Sequence, residues 1–166
     1  MSVIPIILLL SCDGNSPVGD SAPSETGAST PLQEGVWRIA PTSATKNTCG
    51  ATKENMGIGK SVLSRLTLSE DGSTFTLDDV KGEAEATVYT FEGADRFART
   101  ADYSDPVSVD CVVETHYQFD GVVLSDTAAA VTSDIHQEAK GSCWGVPGLP
   151  SACEIIIEVS WTFESE

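Results

Sequence analysis

Cysteine carries the most reactive side chain in this sequence, and its spacing decides which chemistry is open to it. Four of the five cysteines follow residue 48, at Cys49, Cys111, Cys143 and Cys153. None belongs to a Cys-x-x-Cys pair, so the set lacks the spacing typical of zinc sites and of thioredoxin-like redox centres. An even set of separated cysteines in an exported domain is typical of structural disulfides.

The pairing of these cysteines is suggested by the loop that separates the last two. The loop contains two prolines, and Gly148 lies at its centre. Folding the chain symmetrically about Gly148 brings two sulfurs together, which predicts a Cys143–Cys153 disulfide and leaves Cys49 for Cys111. Four cysteines allow three pairings, and the sequence does not exclude the other two.

Other residues that could support catalysis are few and lack a recognisable pattern. His116 and His136 are the only histidines; both fall on polar faces of predicted strands, without metal-ligand spacing. Residues 57–61 (Gly-Ile-Gly-Lys-Ser) resemble the end of a phosphate-binding loop, but Glu54 stands where that pattern needs glycine. No Gly-x-Ser-x-Gly elbow is present. We therefore predict no catalytic residue, no metal site and no cofactor, and an enzyme is the third of our hypotheses.

The charge of the chain excludes some classes of partner. Nine basic residues against twenty-five acidic ones give a formal net charge of -16. Such a chain is repelled by phosphate backbones and by anionic lipid headgroups, which argues against nucleic acid and against electrostatic membrane docking. We expect a monomer.

The first twelve residues indicate how the protein reaches its compartment. The apolar run Val3–Leu10 is far shorter than the about 20 residues that span a bilayer, which fits a signal peptide. The segment Leu9-Leu10-Ser11-Cys12 resembles a bacterial lipobox. The resemblance implies cleavage before Cys12 and lipid attachment to its thiol, which would anchor the protein in the bacterial cell envelope on the periplasmic or outer surface face. The alternative makes residues 3–10 a buried strand and Cys12 a structural thiol.

The segment after the lipobox is expected to be a linker. Residues 13–34 are rich in serine, proline, glycine and acid, without an aromatic or basic residue. Such a composition does not bury enough surface to offset its ordering entropy. We therefore divide the chain into a signal peptide over residues 1–11, a lipidated cysteine and disordered linker over residues 12–34, and a disulfide-bonded domain over residues 35–166.

The domain shows the alternation of β-strands. In the last strand every second residue is apolar while most of those between are polar, and residues 107–119 repeat this pattern. The apolar set of the last strand is Ile155, Ile157, Val159, Trp161 and Phe163. Each strand thus has one dry and one wet face, as an antiparallel sheet around a single core requires.

Turn residues join these strands into a meander. Folding about Asp71-Gly72 sets Leu68 opposite Phe75 and Leu66 opposite Leu77. Folding about Asp120-Gly121 sets Tyr117 opposite Leu124 and Val113 opposite Ala128. Glu92-Gly93 joins two further runs. About eight sequential strands result, and we predict an all-β, up-and-down barrel, with a two-layer β-sandwich as the alternative.

The start of the first strand supports closure. Residues Gly35-Val36-Trp37 are similar to the Gly-x-Trp that opens lipocalin- and avidin-like barrels, which implies that Trp37 plugs one barrel end. Trp37 and Trp144 are our candidate ligand contacts. The first functional hypothesis is a binding module for a small apolar ligand or an envelope protein; the second is a structural lipoprotein whose barrel is filled by its own side chains.

Overall fold

The fold is a closed antiparallel β-barrel of eight strands. The computed structural model describes residues 32–82, 84–143 and 150–165. Each strand pairs with the next one in sequence, and the last pairs with the first, which closes the barrel. The strands are β1 (Gly35–Asn47), β2 (Val62–Leu68), β3 (Thr74–Asp79), β4 (Thr87–Phe91), β5 (Arg96–Ser108), β6 (Cys111–Ser125), β7 (Ala128–Gly141) and β8 (Ala152–Ser165). The predicted up-and-down barrel is confirmed, and the sandwich alternative is wrong. Within the described ranges, no helix is long and apolar enough to cross a membrane.

The alternation predicted for the last strand is present in β8. Ile155, Ile157 and Trp161 are buried, and Val159 and Phe163 between and beyond them are half-buried. The residues between them point outward because successive side chains of a strand lie on opposite faces.

The hairpin between β2 and β3 forms as predicted. Leu66 pairs with Leu77 and Leu68 pairs with Phe75. Gly72 adopts a φ of 66°, a left-handed conformation that glycine enters without steric cost. The carboxylate of Asp71 accepts hydrogen bonds from the backbone N–H of Ser73 at 3.0 Å and from the hydroxyl of Ser69 at 2.7 Å. Local sequence is therefore sufficient to determine this turn.

The predicted turn at Asp120-Gly121 is wrong. Strand β6 runs straight through it, and the chain reverses instead near Asp110 and Asp126. Tyr117 pairs with Ile135 rather than with Leu124, and Val113 pairs with Ala139 rather than with Ala128.

Position 121 is occupied by glycine because of side-chain packing and not because of a turn. A Cβ atom on Gly121 would lie 2.1 Å from two ring carbons of Phe97, so only glycine leaves room for that ring. The shift of the turn also explains why Val107 and Val109, predicted to face the core, are exposed at the β5–β6 connection.

The strands differ in length, and this makes the two ends of the barrel different. Strands β2, β3 and β4 have seven, six and five residues, whereas β1 and β5 to β8 have thirteen to fifteen. Strand β4 pairs with β5 at only two positions, Thr90 with Ala98 and Phe91 with Phe97. All eight strands therefore meet near the end where β1 begins, which we call the Trp37 end. Five longer strands continue beyond it to the disulfide end, where β1 ends and β8 begins.

Two apolar clusters fill the barrel. The cluster at the Trp37 end is mostly aromatic, and its buried members are Leu32, Trp37, Leu66, Phe75, Leu77, Tyr89, Phe97, Ala129, Val131 and Trp161. The cluster at the disulfide end is aliphatic, and its buried members are Met56, Ile135, Ile155 and Ile157. Met56 comes from the connection between β1 and β2, so this loop folds over the extended sheet.

Both disulfides differ from the predicted pairing, which is wrong. Cys49 is bonded to Cys153 and Cys111 to Cys143, each with Cα atoms 4.9 Å apart. The β7–β8 register places Cys153 opposite Gln137, so Cys153 and Cys143 do not face each other across the hairpin.

The neighbours that each sulfur meets follow from this register. The backbone N–H of Thr48 donates to the carbonyl of Glu154 at 2.8 Å, which brings the adjacent Cys49 to Cys153. Cys111 lies opposite Gly141, and Cys143 follows two residues after Gly141. Cys143 is therefore close enough to bond to Cys111.

Candidate functional site

Trp37 lies buried in the core near the end of the barrel where β1 begins. Its side chain is fully buried, and its Nε1–H donates to the backbone carbonyl of Gln33 at 2.9 Å. The ring packs edge-on against Phe163, with 5.8 Å between centroids, and Leu32 lies buried in the same cluster. Trp37 is therefore a core residue of the barrel, and its role as a ligand contact stays a prediction. Trp144 and Cys12 lie outside the described residues.

Aromatic rings fill the interior next to Trp37. Phe75 lies 5.1 Å, centroid to centroid, from each of Tyr89, Phe91 and Phe97, and 6.1 Å from Trp161. Most of these pairs are edge-to-face or tilted, the arrangement favoured by the ring quadrupole. This half of the barrel is filled by its own side chains, as our second hypothesis expects.

The interior is different beyond Ala98, where β5 no longer pairs with β4. On the inner face of β5 and β6, four large side chains are only half-buried, and we call them the aromatic wall: Arg99, Tyr103, Tyr117 and Phe119. Arg99 of β5 is directly opposite Phe119 of β6, so these two side chains lie on the same face. Tyr103 on β5 and Tyr117 on β6 lie an even number of residues from them and therefore share this face. The wall is uncovered because the five-residue strand β4 stops pairing with β5 at Ala98.

The wall combines stacked rings with a cation. The guanidinium of Arg99 lies 5.7 Å from the centroid of Phe119, within the range of a cation–π contact. Tyr117 stacks on Phe119 at 6.1 Å and meets Tyr103 edge-to-face at 5.4 Å. The wall therefore presents flat apolar faces, phenol hydroxyls and one positive charge within a single surface.

The protonation of the phenols near the wall follows from their burial. Burial raises the pKa of Tyr89 to about 12, and the neighbouring Arg99 opposes the shift. Burial also raises the pKa of Tyr117, assisted by Tyr103 and by the carboxylate of Asp105. Both phenols are therefore neutral at physiological pH and able to donate hydrogen bonds.

Sequence reasoning assigned Tyr117 and Phe119 to a dry face but not to an exposed wall. Alternation predicts only the face on which a side chain lies. Whether a neighbouring strand covers that face depends on the length of β4, whose signal in the sequence is the glycine and acid-rich stretch over residues 82–86.

The two histidines lie together on the outer surface. His116 and His136 are directly opposite in the β6–β7 ladder, and both are exposed, as the polar faces predict. The Nδ1 atom of His116 lies 2.7 Å from a carboxylate oxygen of Asp102 on β5. Sequence reasoning missed the pair because it placed the β6–β7 turn at Asp120-Gly121. No group of three or more metal-ligating side chains is already assembled within the described part of the chain.

Comparisons with known proteins identify no relative. Neither protein-family profiles, nor curated protein sequences, nor solved structures contain a match to this chain. The resemblance of residues 35–37 to lipocalin- and avidin-like barrels therefore stays a prediction, while the closed barrel rests on the strand order of the chain itself.

Proposed function

We propose that this chain is a lipid-anchored binding module of the bacterial cell envelope, and that it binds its ligand or partner on the aromatic wall. The observation that carries the proposal is the contrast between the two ends of the barrel interior. At the Trp37 end the rings are sealed against one another, whereas the wall keeps Arg99, Tyr103 and Tyr117 partly accessible. A surface that exposes rings and a cation on a rigid sheet is typical of binding sites.

The proposed anchor rests on the lipobox-like segment that ends at Cys12. Two disulfides are typical of an oxidising compartment, in agreement with export. Because β1 begins at Gly35, the linker enters the domain at the Trp37 end. A lipid on Cys12 would place this end towards the membrane and leave the disulfide end, which β4 does not reach, facing away from the membrane.

The chemistry of the wall defines the class of ligand. Stacked rings favour a flat or apolar face, and Arg99 favours a carboxylate or another anionic group close to that face. The phenol hydroxyls of Tyr103 and Tyr117 add hydrogen-bonding groups for hydroxyl or carbonyl groups of the ligand. The proposed occupant is a small amphipathic molecule, or a side-chain cluster of an envelope protein, with an apolar face beside an acidic group. A structural lipoprotein without a ligand is the second candidate, favoured by the filled Trp37 end.

The anchor is tested in the producing bacterium by membrane fractionation and intact mass. We expect Cys12→Ala to abolish both the added lipid mass and membrane association, and globomycin to block cleavage before residue 12. An unchanged mass and an unchanged fractionation of Cys12→Ala would refute the anchor.

The wall is tested by native mass spectrometry of protein isolated from that bacterium. Tyr103→Ser, Tyr117→Ser and Arg99→Gln are compared with a control, Val88→Ser, at an exposed position on the outer face of β4. We expect a co-purifying molecule in wild type and in the control that is lost in the wall variants. Retention of the co-purifying molecule in all variants would show that the binding site lies elsewhere. Absence of any bound molecule or partner from every sample would favour the structural lipoprotein.

A further inference from the structure

The outer face of the extended sheet carries a row of metal-ligating side chains, one on each of four neighbouring strands. Direct pairing sets Asp102 opposite His116, His116 opposite His136, and His136 opposite Glu154. Directly opposed residues of antiparallel strands have Cβ atoms about 4.5–5.5 Å apart. Two imidazoles at this spacing are close enough to share one metal ion.

The contact of His116 with Asp102 determines which ring nitrogen is available. An ionised carboxylate only accepts hydrogen bonds, so Nδ1 of His116 must carry the proton that lies between it and the Asp102 oxygen, 2.7 Å away. In the neutral ring Nε2 is then unprotonated and free to act as a ligand. A carboxylate on the non-coordinating nitrogen is the arrangement that orients histidines in metal sites and raises their basicity.

Carboxylates surround the histidine pair. Glu114 and Glu138 are opposite each other on the same face, two residues from the histidines towards the disulfide end. Glu114 is therefore diagonal to His136, and Glu138 is diagonal to His116. Lys140 holds Glu138 through an ion pair of 2.7 Å, whereas Glu114 is exposed. The row borders a groove of about 370 Å³, which is lined by Asp102, Tyr103, Ser104, Glu114, Thr115, both histidines and Glu138.

We infer that this groove is a binding site for a first-row transition-metal dication, with Zn²⁺ as the ion to test. Nε2 of His116 and the imidazole of His136 are the nitrogen ligands. Glu114 rotates to supply an oxygen, and water completes the coordination. Asp102 is a positioning residue. The side chains of His116, His136 and Glu114 lie on the opposite face of the sheet from the aromatic wall, so the zinc test can fail without bearing on the proposed function.

The ligand set separates this site from a general attraction of cations to an acidic protein. A net charge of -16 draws any dication towards the surface. Calcium and magnesium prefer oxygen ligands, whereas imidazole favours zinc, nickel and copper. Selection of Zn²⁺ over Ca²⁺, lost on removal of either histidine, is therefore the distinguishing property.

The experiment is calorimetric titration of the full chain with ZnCl₂. All samples carry Cys12→Ser, because a free thiol would itself bind zinc. The variants are H116Q, H136Q, E114Q and D102N. The control is D78N, an exposed carboxylate on the outer face of β3. All five changes are on the surface, and the thermal unfolding midpoint without metal verifies that each variant is folded.

We expect saturable binding of one zinc ion per chain that excess Ca²⁺ does not displace. H116Q and H136Q should each weaken zinc binding more than about tenfold, and D102N about tenfold, at the low end of the range for residues that orient a ligand. E114Q should weaken binding severalfold, and D78N should leave it unchanged. Zinc should also raise the unfolding midpoint of the parent chain and of D78N but not that of the histidine variants.

Three outcomes overturn the inference. They are no saturable zinc binding to the parent chain, displacement of zinc by equimolar Ca²⁺, and equal affinity in H116Q, H136Q and the parent. If only D102N binds like the parent, Asp102 loses its positioning role and the two-histidine site stands.

Discussion

Substituting Gly121 by alanine tests whether this glycine serves the packing of Phe97 or a turn. The added Cβ would lie 2.1 Å from ring atoms Cε2 and Cζ of Phe97, whereas ordinary contact begins near 3.4 Å. The ring must therefore move by about 1.3 Å (3.4 minus 2.1). Phe97 is 1% exposed and has three ring neighbours with centroids 5.1–5.8 Å away (Phe75, Tyr89 and Trp161), so no free space receives it.

The expected loss of stability follows from two opposing effects. Inserting atoms into a well-packed core costs about 1–3 kcal/mol, and the immobile ring favours the upper value. Alanine stabilises by about 0.4–1 kcal/mol relative to glycine where the backbone accepts it, because the unfolded chain loses freedom. We expect Gly121→Ala to lower the free energy of unfolding by about 2 kcal/mol, measured by urea titration with the disulfides intact and the fluorescence of the buried tryptophans as readout.

A double-mutant cycle with Phe97→Val supplies the control. Valine lacks every ring atom that meets the new Cβ, so adding Gly121→Ala in that background should be neutral or stabilising. An equal loss in both backgrounds would refute the packing explanation and indicate a special backbone conformation at Gly121. A stabilising effect of Gly121→Ala alone would show that the ring moves freely.

Three further predictions concern stability. Removing the Cys49–Cys153 disulfide with two alanines should lower the free energy of unfolding by about 4.7 kcal/mol in the chain-entropy model, against about 3.7 kcal/mol for the other bridge, because the bridges close 104 and 32 residues. Urea titration of the two double variants measures this difference, and a reversed order would contradict it. Thr87→Val should raise stability by about 1 kcal/mol, because the buried Thr87 hydroxyl has no hydrogen-bond partner among the described residues; a lower thermal midpoint would contradict this. Hydrogen bonds from Ser69 and Ser73 lower the pKa of Asp71 to about 2 from its ordinary 3.8, so its contribution is complete above pH about 4 and is lost as the pH falls through about 2. The difference in urea midpoint between wild type and Asp71→Asn should disappear over that window, and a difference that persists at pH 2 would contradict the assignment.

Much of the fold was predictable because β-strand information is local. The two-residue period of β8 determines which side chains meet the core, and Asp71-Gly72 determines both a turn and the register of the strands beside it. A sheet of about eight strands with one dry face has to close on itself or fold into two layers, so the pattern of apolar residues predicted the closed barrel as one of two architectures.

The candidate sites depend on information that no short segment contains. Asp120-Gly121 has the composition of a turn, yet the ring of Phe97 on the neighbouring strand makes it part of β6. Moving that turn changes the partner of every residue in β6 and β7, because one register applies to a whole hairpin.

Alternation by itself determined, for most strand positions, which residues face the core and which face solvent; Val107 and Val109 are exceptions. Only the tertiary structure decided which residues became neighbours across strands, including the bond of Cys49 to Cys153, the meeting of His116 and His136, and the accessibility of the wall beyond the short β4. The physical reason is that facing depends on the parity of a position along one strand, whereas neighbourhood depends on the register and the length of several strands packed together.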